Sequence, residues 1–211
     1  MIANQVIIRM LGLKDYLSAW QAMRQFTDAR NENTVDEIWL LEHPPVFTQG
    51  QNGKPEHLLS PHNIPVIRTD RGGQVTYHGP GQLIIYTLID LKRKKFHVRN
   101  IINLLERSIM QLLASYHIQA KTKCEAPGVY VEDKKICSIG LRIRRGCSFH
   151  GLALNINMDL NPFLSIHPCG FPQLKMTQMI ELNKTADSLV IGKKLIEHLT
   201  TNLGYTSHLI L

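Results

Sequence analysis

Apolar residues recur at steps of three and four over residues 14–29, where Leu13, Tyr16, Leu17, Trp20 and Met23 share one stripe. That period predicts an amphipathic helix. The same signal is clearest over 98–116, with Val98, Ile101, Ile102, Leu105, Ile109, Leu112 and Tyr116 on one face. A third helix is predicted over 188–203, stopped by Gly204 as its C-cap. Elsewhere the pattern shortens to apolar or alternating runs bounded by Gly, Pro and polar clusters, which read as strands. They fall at 6–9, 36–42, 66–69, 74–78, 83–91, 119–123, 128–131, 135–143 and 149–157. Pro44-Pro45 closes the second run, Gly79-Pro80-Gly81 turns the chain between the fourth and fifth, and Arg144-Arg145-Gly146 joins the last two as a hairpin. Strands follow one another in places and alternate with helices in others. That order predicts an α/β (α+β) class: one domain spanning 1–211, a mixed sheet with helices packed on it.

Composition narrows the function classes. Of 211 residues, 44% are hydrophobic and 19% charged, the balance of a globular chain rather than a disordered one. No apolar run nears the ~18 residues of a membrane span. Residues 1–10 carry no basic start, apolar stretch and small-residue cleavage site, so no secretory signal is expected. Four cysteines are too few for a disulfide scaffold and are expected as reduced thiols in a cytoplasmic protein. Asn183-Lys184-Thr185 fits a glycosylation sequon, which has meaning only after export.

Twenty-four Lys and Arg against seventeen Asp and Glu leave a net charge of +7, which suits an acidic partner. Lys92-Arg93-Lys94-Lys95 and Arg142-x-Arg144-Arg145 are the basic runs that such a partner would meet; solvated surface charge is the alternative. A nucleic-acid module is disfavoured, because no aromatics interleave with a basic stripe and no zinc-finger or RNA-binding spacing occurs. Cys147-x-x-His150 and His167-x-Cys169 have short ligand-like spacings, but no CxxC pair accompanies them, so no metal site is expected.

Three constellations carry candidate chemistry. Arg71-Gly72-Gly73-Gln74-Val75-Thr76-Tyr77-His78-Gly79-Pro80-Gly81-Gln82 packs glycines and polar side chains into a stretch that serves either a tight turn or a loop lying close to a ligand. It matches neither a P-loop nor a dinucleotide fingerprint. In Pro127-Gly128-Val129-Tyr130-Val131-Glu132-Asp133-Lys134-Lys135-Ile136-Cys137-Ser138-Ile139-Gly140, a lysine enters a strand; it points into a pocket or stays a solvated charge. His167-Pro168-Cys169-Gly170 holds a cysteine between a stiff and a free residue, either buried and inert or presented to a cleft. A lysine ammonium beside that thiol would favour the thiolate, the nucleophilic form.

Together and in this order, these segments resemble the lipoyl(octanoyl) transferases, the octanoyl-carrier-protein:protein octanoyltransferases of the biotin/lipoate protein ligase-like superfamily. The resemblance covers nearly the whole chain. It includes Glu42-His43-Pro44-Pro45-Val46-Phe47-Thr48-Gln49-Gly50, Phe149-His150-Gly151-Leu152-Ala153-Leu154-Asn155 and Pro168-Cys169-Gly170. It implies a cysteine/lysine acyltransferase with Cys169 as nucleophile and Lys135 as its partner. Substrate binding then falls on Arg71, Gly72, Gly73, Gln74, Val75, Thr76, Tyr77 and His78, on Ser138, Ile139 and Gly140, and on Gly151, Leu152 and Ala153. The implied donor is octanoyl-acyl carrier protein. The implied acceptors are lipoyl domains of 2-oxoacid dehydrogenase complexes and the glycine cleavage H protein. No cofactor, nucleic acid or membrane partner is implied. The nearest rival is an ATP-dependent lipoate–protein ligase of the same fold, which would not need the cysteine. His78 and His150 either orient groups at the site or are structural.

Overall fold

The computed structural model describes residues 4–183 and 187–211. Lys184 and Thr185 therefore lie outside the described residues, and with them part of the sequon. Eight strands form the main sheet, in the order β11-β1-β2-β6-β10-β9-β8-β7. These are β1 (Gln5–Leu13), β2 (Asp36–Glu42), β6 (Gln82–Leu88), β7 (Lys121–Thr122), β8 (Gly128–Val131), β9 (Lys134–Arg144), β10 (Cys147–Asn155) and β11 (Ser207–Ile210). β1 runs parallel to both β2 and β11, while every pairing from β2 through β6, β10, β9 and β8 to β7 is antiparallel. The mixed sheet is thus parallel at one edge and antiparallel across the half that carries the candidate site.

Strand alternation sends neighbouring side chains to opposite faces. Ile38 and Leu40 of β2 face a core completed by α3 (Val98–Ala114), the short α4 (Met179–Leu182) and α5 (Ser188–Asn202) through residues such as Ile101, Leu105, Met179, Leu195 and Leu199. Trp39 and Leu41 face the other side, where Ala19 and Met23 of α1 (Tyr16–Ala29) pack with Ile84, Tyr86 and Phe149. The three long helices thus lie close to their predicted places. The hairpin between β9 and β10 turns at Arg145 and Gly146, both with positive φ (55° and 84°), as a two-residue type I′ turn requires.

Two parts of the architecture depart from the sequence reading. A second sheet, in the order β4-β3-β5, is built from β3 (Val46–Gln49), β4 (Val66–Arg68) and β5 (Val75–His78). Pro44-Pro45 removes two N–H donors from the ladder, so the chain leaves the main sheet after β2 and starts a strand of the small one. The predicted 83–91 strand stops at Leu88, because Asp90 caps the short helix α2 (Leu91–Lys94) by accepting from the Arg93 backbone N–H.

That helix also changes the meaning of the basic runs. Arg93 donates to the buried Asp36 carboxylate at 2.6 Å, alongside Arg30 and the Tyr205 hydroxyl. Lys94 lies 3.7 Å from the centre of the Tyr205 ring. At the hairpin, Arg144 pairs with the Asp28 carboxylate at 3.0 Å and Arg145 donates to the Asp28 carbonyl at 3.1 Å. These cations are partly spent on tying α1, α2 and the C-terminal segment to the sheet. Among the described residues no helix is long and apolar enough to cross a membrane.

Candidate active site

A single 3-10 turn, Pro168–Gly170, carries Cys169 in the left-handed region (φ 57°, ψ 14°). That conformation costs a non-glycine residue ~1–2 kcal/mol and calls for a surrounding structure that enforces it. Here the turn is closed by Gly170 N–H donating to the His167 carbonyl at 2.9 Å and Phe171 N–H to that of Pro168 at 3.1 Å. Lys135, the second residue of β9, is 1% exposed, so the structure decides against a solvated charge. Its ammonium donates to Cys169 Sγ at 3.0 Å.

The lysine backbone is clamped by a passing segment: Lys135 N–H donates to the Lys175 carbonyl at 2.8 Å, and Thr177 N–H to the Lys135 carbonyl at 3.0 Å. Gly128 leaves room for the side chain, since a Cβ there would fall 2.6 Å from Lys135 Cε. Burial alone pushes the Lys135 ammonium toward deprotonation. The Cys169 sulfur and the Tyr130 phenol, whose ring centre lies 5.3 Å from Nζ, outweigh it and hold the pKa above the ordinary lysine value. At rest the lysine is therefore an ammonium.

The pair opens into a cavity of about 510 Å³. Its lining includes Arg71, Gly72, Gly73, Gln74, Val75, Thr76 and His78, with Ser138, Ile139 and Gly140 from β9 and Gly151, Leu152 and Ala153 from β10. Tyr77 is the exception among the sequence candidates. Its ring points away from the side of β5 that carries Thr76 and His78, into a cluster with Phe47 and Phe163. The 71–73 loop meets β9 directly through Gly72 N–H and the Leu141 carbonyl at 2.8 Å. Gly151 also serves the sheet: a Cβ there would strike the Ile85 carbonyl oxygen.

Behind the wall runs a directed chain of hydrogen bonds. Arg71 Nε and Nη2 donate to Thr48 Oγ1 at 3.2 and 2.9 Å, and the Thr48 hydroxyl donates to His78 Nε2 at 3.1 Å. His78 Nδ1–H donates to Gln82 Oε1 at 2.7 Å, Gln82 Nε2 to Asn155 Oδ1 at 2.9 Å, and Asn155 Nδ2 to the Thr177 carbonyl at 2.9 Å. Thr177 in turn holds Lys135. The chain fixes the tautomer of His78 and connects the Arg71 loop with the lysine's backbone. Arg71 has no carboxylate partner among the described residues, so two buried cations, Arg71 and Lys135, face the space around Cys169. Such a cavity favours an oxygen that gains negative charge.

Sequence reasoning did not single out Tyr16, Thr48, Asp70 or Tyr86. Asp70 accepts from His150 Nε2–H at 2.9 Å and from the Trp20 indole at 2.8 Å. Tyr86 donates to His43 Nε2 at 2.7 Å, while His43 Nδ1–H donates to the Lys14 carbonyl at 2.6 Å. Tyr16 and Tyr86 lie in apolar stripes, where nothing in the sequence separates a core tyrosine from one lining a pocket.

Burial pushes the pKa values of His43 and His150 down, and that of His78 well down; the Asp70 carboxylate opposes but does not cancel the effect at His150. Below about pH 6.5 the unfolded chain takes up protons at these histidines that the folded chain refuses. Their contribution is fully present above that pH and is lost as pH falls through it. Urea unfolding from pH 7.5 to 5.5 is expected to show stability falling toward acid, with a limit of ~1.4 kcal/mol per pH unit for each such histidine. A flat profile, or imidazole NMR shifts showing all three protonated in the native state at pH 5.5, would contradict it.

The model of the lipoyl protein ligase A/B catalytic domain matches residues 15–200. An octanoyltransferase of Vibrio vulnificus is 56% identical over 202 residues, covering 96% of this chain and 93% of the relative. One of Actinobacillus succinogenes is 57% identical over 213 aligned positions, covering 96% and 97%. Among solved structures, lipoate-protein ligase A bound with ATP superposes with a TM-score of 0.81 at 12% identity, covering 98% of this chain and 89% of that one. Biotin protein ligase from Aquifex aeolicus in complex with biotin and ATP gives 0.58 at 13%, covering 95% and 70%. Those two likenesses are of fold.

Proposed function

We propose, for a chain that belongs to the lipoyl protein ligase A/B catalytic-domain family and is an octanoyltransferase within it, that the acyl group passes through a thioester on Cys169 with Lys135 as proton partner. The observation that carries this reading is the 3.0 Å contact between Lys135 Nζ and Cys169 Sγ at the wall of a cavity large enough for an acyl chain. Residues 1–211 act as one catalytic domain in this reading, since the wall draws on side chains from Tyr16 to Phe171.

The first step forms a bond between Cys169 Sγ and the thioester carbonyl carbon and breaks the bond to the donor sulfur. The expelled thiolate takes a proton from the Lys135 ammonium. Thioester is exchanged for thioester, so no external energy source is needed. Acylation also removes the negative charge that held Lys135 protonated. The effect of burial then prevails, and the neutral amine left behind is a base in the place where one is required. In the second step the acceptor lysine enters as a free amine and attacks the octanoyl carbonyl. The amide forms, Cys169 leaves as thiolate, and the surplus proton passes to Lys135, restoring the resting pair.

The donor in this reading is octanoyl-acyl carrier protein. The acceptors are lipoyl domains of 2-oxoacid dehydrogenase complexes and the glycine cleavage H protein. Burying about six methylenes at ~0.8 kcal/mol each gives ~5 kcal/mol to anchor the chain. All four cysteines are unpaired, which suits a reducing compartment such as the cytoplasm. The ATP-dependent ligase reading leaves the contact between half-buried Cys169 and buried Lys135 without a task.

Mass spectrometry after incubation with octanoyl-acyl carrier protein, without ATP, tests the proposal. One octanoyl increment is expected, released by hydroxylamine and mapped to the peptide that contains Cys169. An increment on Cys124, Cys137 or Cys147 would overturn the assignment. So would octanoyl transfer to a lipoyl domain with no enzyme-bound intermediate.

A further inference from the structure

We propose that the side-chain amide of Gln74 is the oxyanion donor of acyl transfer, holding the oxygen that becomes negative when Cys169 Sγ adds to the octanoyl carbonyl. The inference rests on Cys169 being the nucleophile. Gln74 lines the same cavity as Cys169. Its amide lies against the residue that follows the nucleophile: a Cβ built on Gly170 would fall 2.5 Å from Gln74 Nε2 and 3.1 Å from Oε1. The missing side chain at Gly170 is what lets the amide approach the turn.

The amide is also uncommitted. Gln74 Oε1 is buried without a partner, and neither end of the amide bonds to a described residue. The neighbouring polar groups are spent. Gln82, Asn155 and Thr48 use their side chains in the chain behind the wall, Arg71 donates to Thr48 and to the Gly72 carbonyl, and Lys135 holds the sulfur. Oε1 only accepts and cannot hold an oxyanion; the donor is Nε2, the end nearer Gly170, whose hydrogens are free for an oxygen that becomes negative only during reaction.

The backbone beneath it is pinned in advance. Gly50 N–H donates to the Gln74 carbonyl at 3.1 Å, Asn52 N–H to that of Gly73 at 3.1 Å, and Gln51 N–H to that of Arg71 at 2.9 Å. The donor is therefore carried by a loop that needs little reorganisation. In each of the two transfer steps the carbonyl π pair moves onto oxygen while the new bond forms. It returns as the leaving group departs with its own pair. The carbonyl carbon is bonded to Sγ in both tetrahedral intermediates, so one donor beside Cys169 serves both.

The test compares two reactions of the same sulfur. Acylation by an octanoyl thioester passes through an oxyanion; alkylation by iodoacetamide displaces iodide at a saturated carbon and does not. In Gln74→Met, single-turnover acylation is expected to fall ~100-fold with little change in KM, while Cys169 alkylation stays within about twofold of wild type. Gln74→Glu, which keeps the shape but brings an acceptor toward the oxyanion, is expected to do at least as badly, and it serves if Met disturbs the turn. A parallel fall in both reactions would make Gln74 a structural support only and overturn the proposal. Unchanged acylation in both variants would overturn it as well. Wild-type enzyme that never carries octanoyl on Cys169 would instead sink the nucleophile reading, a separate result seen before any Gln74 variant is made.

Discussion

Cys169→Ala is expected to lower octanoyl transfer by at least ~10⁴-fold, because it removes the atom on which the acyl group rests between donor and acceptor. Cys169→Ser is expected to retain under ~1% of wild-type activity. A hydroxyl beside an ammonium is almost wholly un-ionised at neutral pH, and no strong base stands next to it. The other three cysteines provide the control. Burial pushes the Cys137 thiol up to about 12 and also raises that of Cys147, and Cys124 lies exposed on the surface. Alanine at each should leave most of the transfer rate, with Cys137→Ala costing about 1 kcal/mol of stability for the small void it leaves. Steady-state transfer to a lipoyl domain checks the series. Retention of more than a tenth of the rate by Cys169→Ala would remove the thioester from the mechanism.

The long helices were legible because α1, α3 and α5 each bury one continuous stripe, a property of spacing alone. The small sheet was not. β3 has four residues directly after two prolines, and its pairing with β5 joins segments about thirty residues apart, as in Val46 with His78. Arg93 shows the same limit for charge. In the sequence it stands in a run of four cations, yet its guanidinium is held by Asp36, fifty-seven positions away. Cys169 and Lys135 were named through resemblance, since by itself the one reads more readily as an inert thiol and the other as a solvated amine. What the sequence could not carry is their contact, made across thirty-four positions by a left-handed turn and a glycine-lined channel. The histidines stayed ambiguous because their role depends on partners: Thr48 and Gln82 for His78, Asp70 for His150. An uncommitted amide such as Gln74 has no sequence signature at all.

Lys135 separates the two halves of the mechanism. Lys135→Ala removes both the cation that favours the thiolate and the base that accepts the acceptor's proton, and is expected to lower transfer by ~10³-fold. Lys135→Arg keeps the cation but not the base, because a guanidinium does not deprotonate in a protein. Its planar head is also larger than an ammonium, in a channel where a single Cβ at Gly128 would lie 2.6 Å from the lysine stem. The arginine variant should therefore still be labelled by iodoacetamide near neutral pH, more slowly than wild type but faster than Lys135→Ala. With octanoyl donor it should accumulate acyl-enzyme that a lipoyl domain discharges poorly. Alanine should label slowest at neutral pH and converge on the wild-type rate in strong base, where the thiol ionises without help. Each tenfold loss of thiolate at fixed pH corresponds to ~1.4 kcal/mol of lost electrostatic support. Identical labelling profiles for wild type and Lys135→Ala would show that the ammonium does not sustain the thiolate. Prompt discharge of the Lys135→Arg acyl-enzyme would show that the base lies elsewhere.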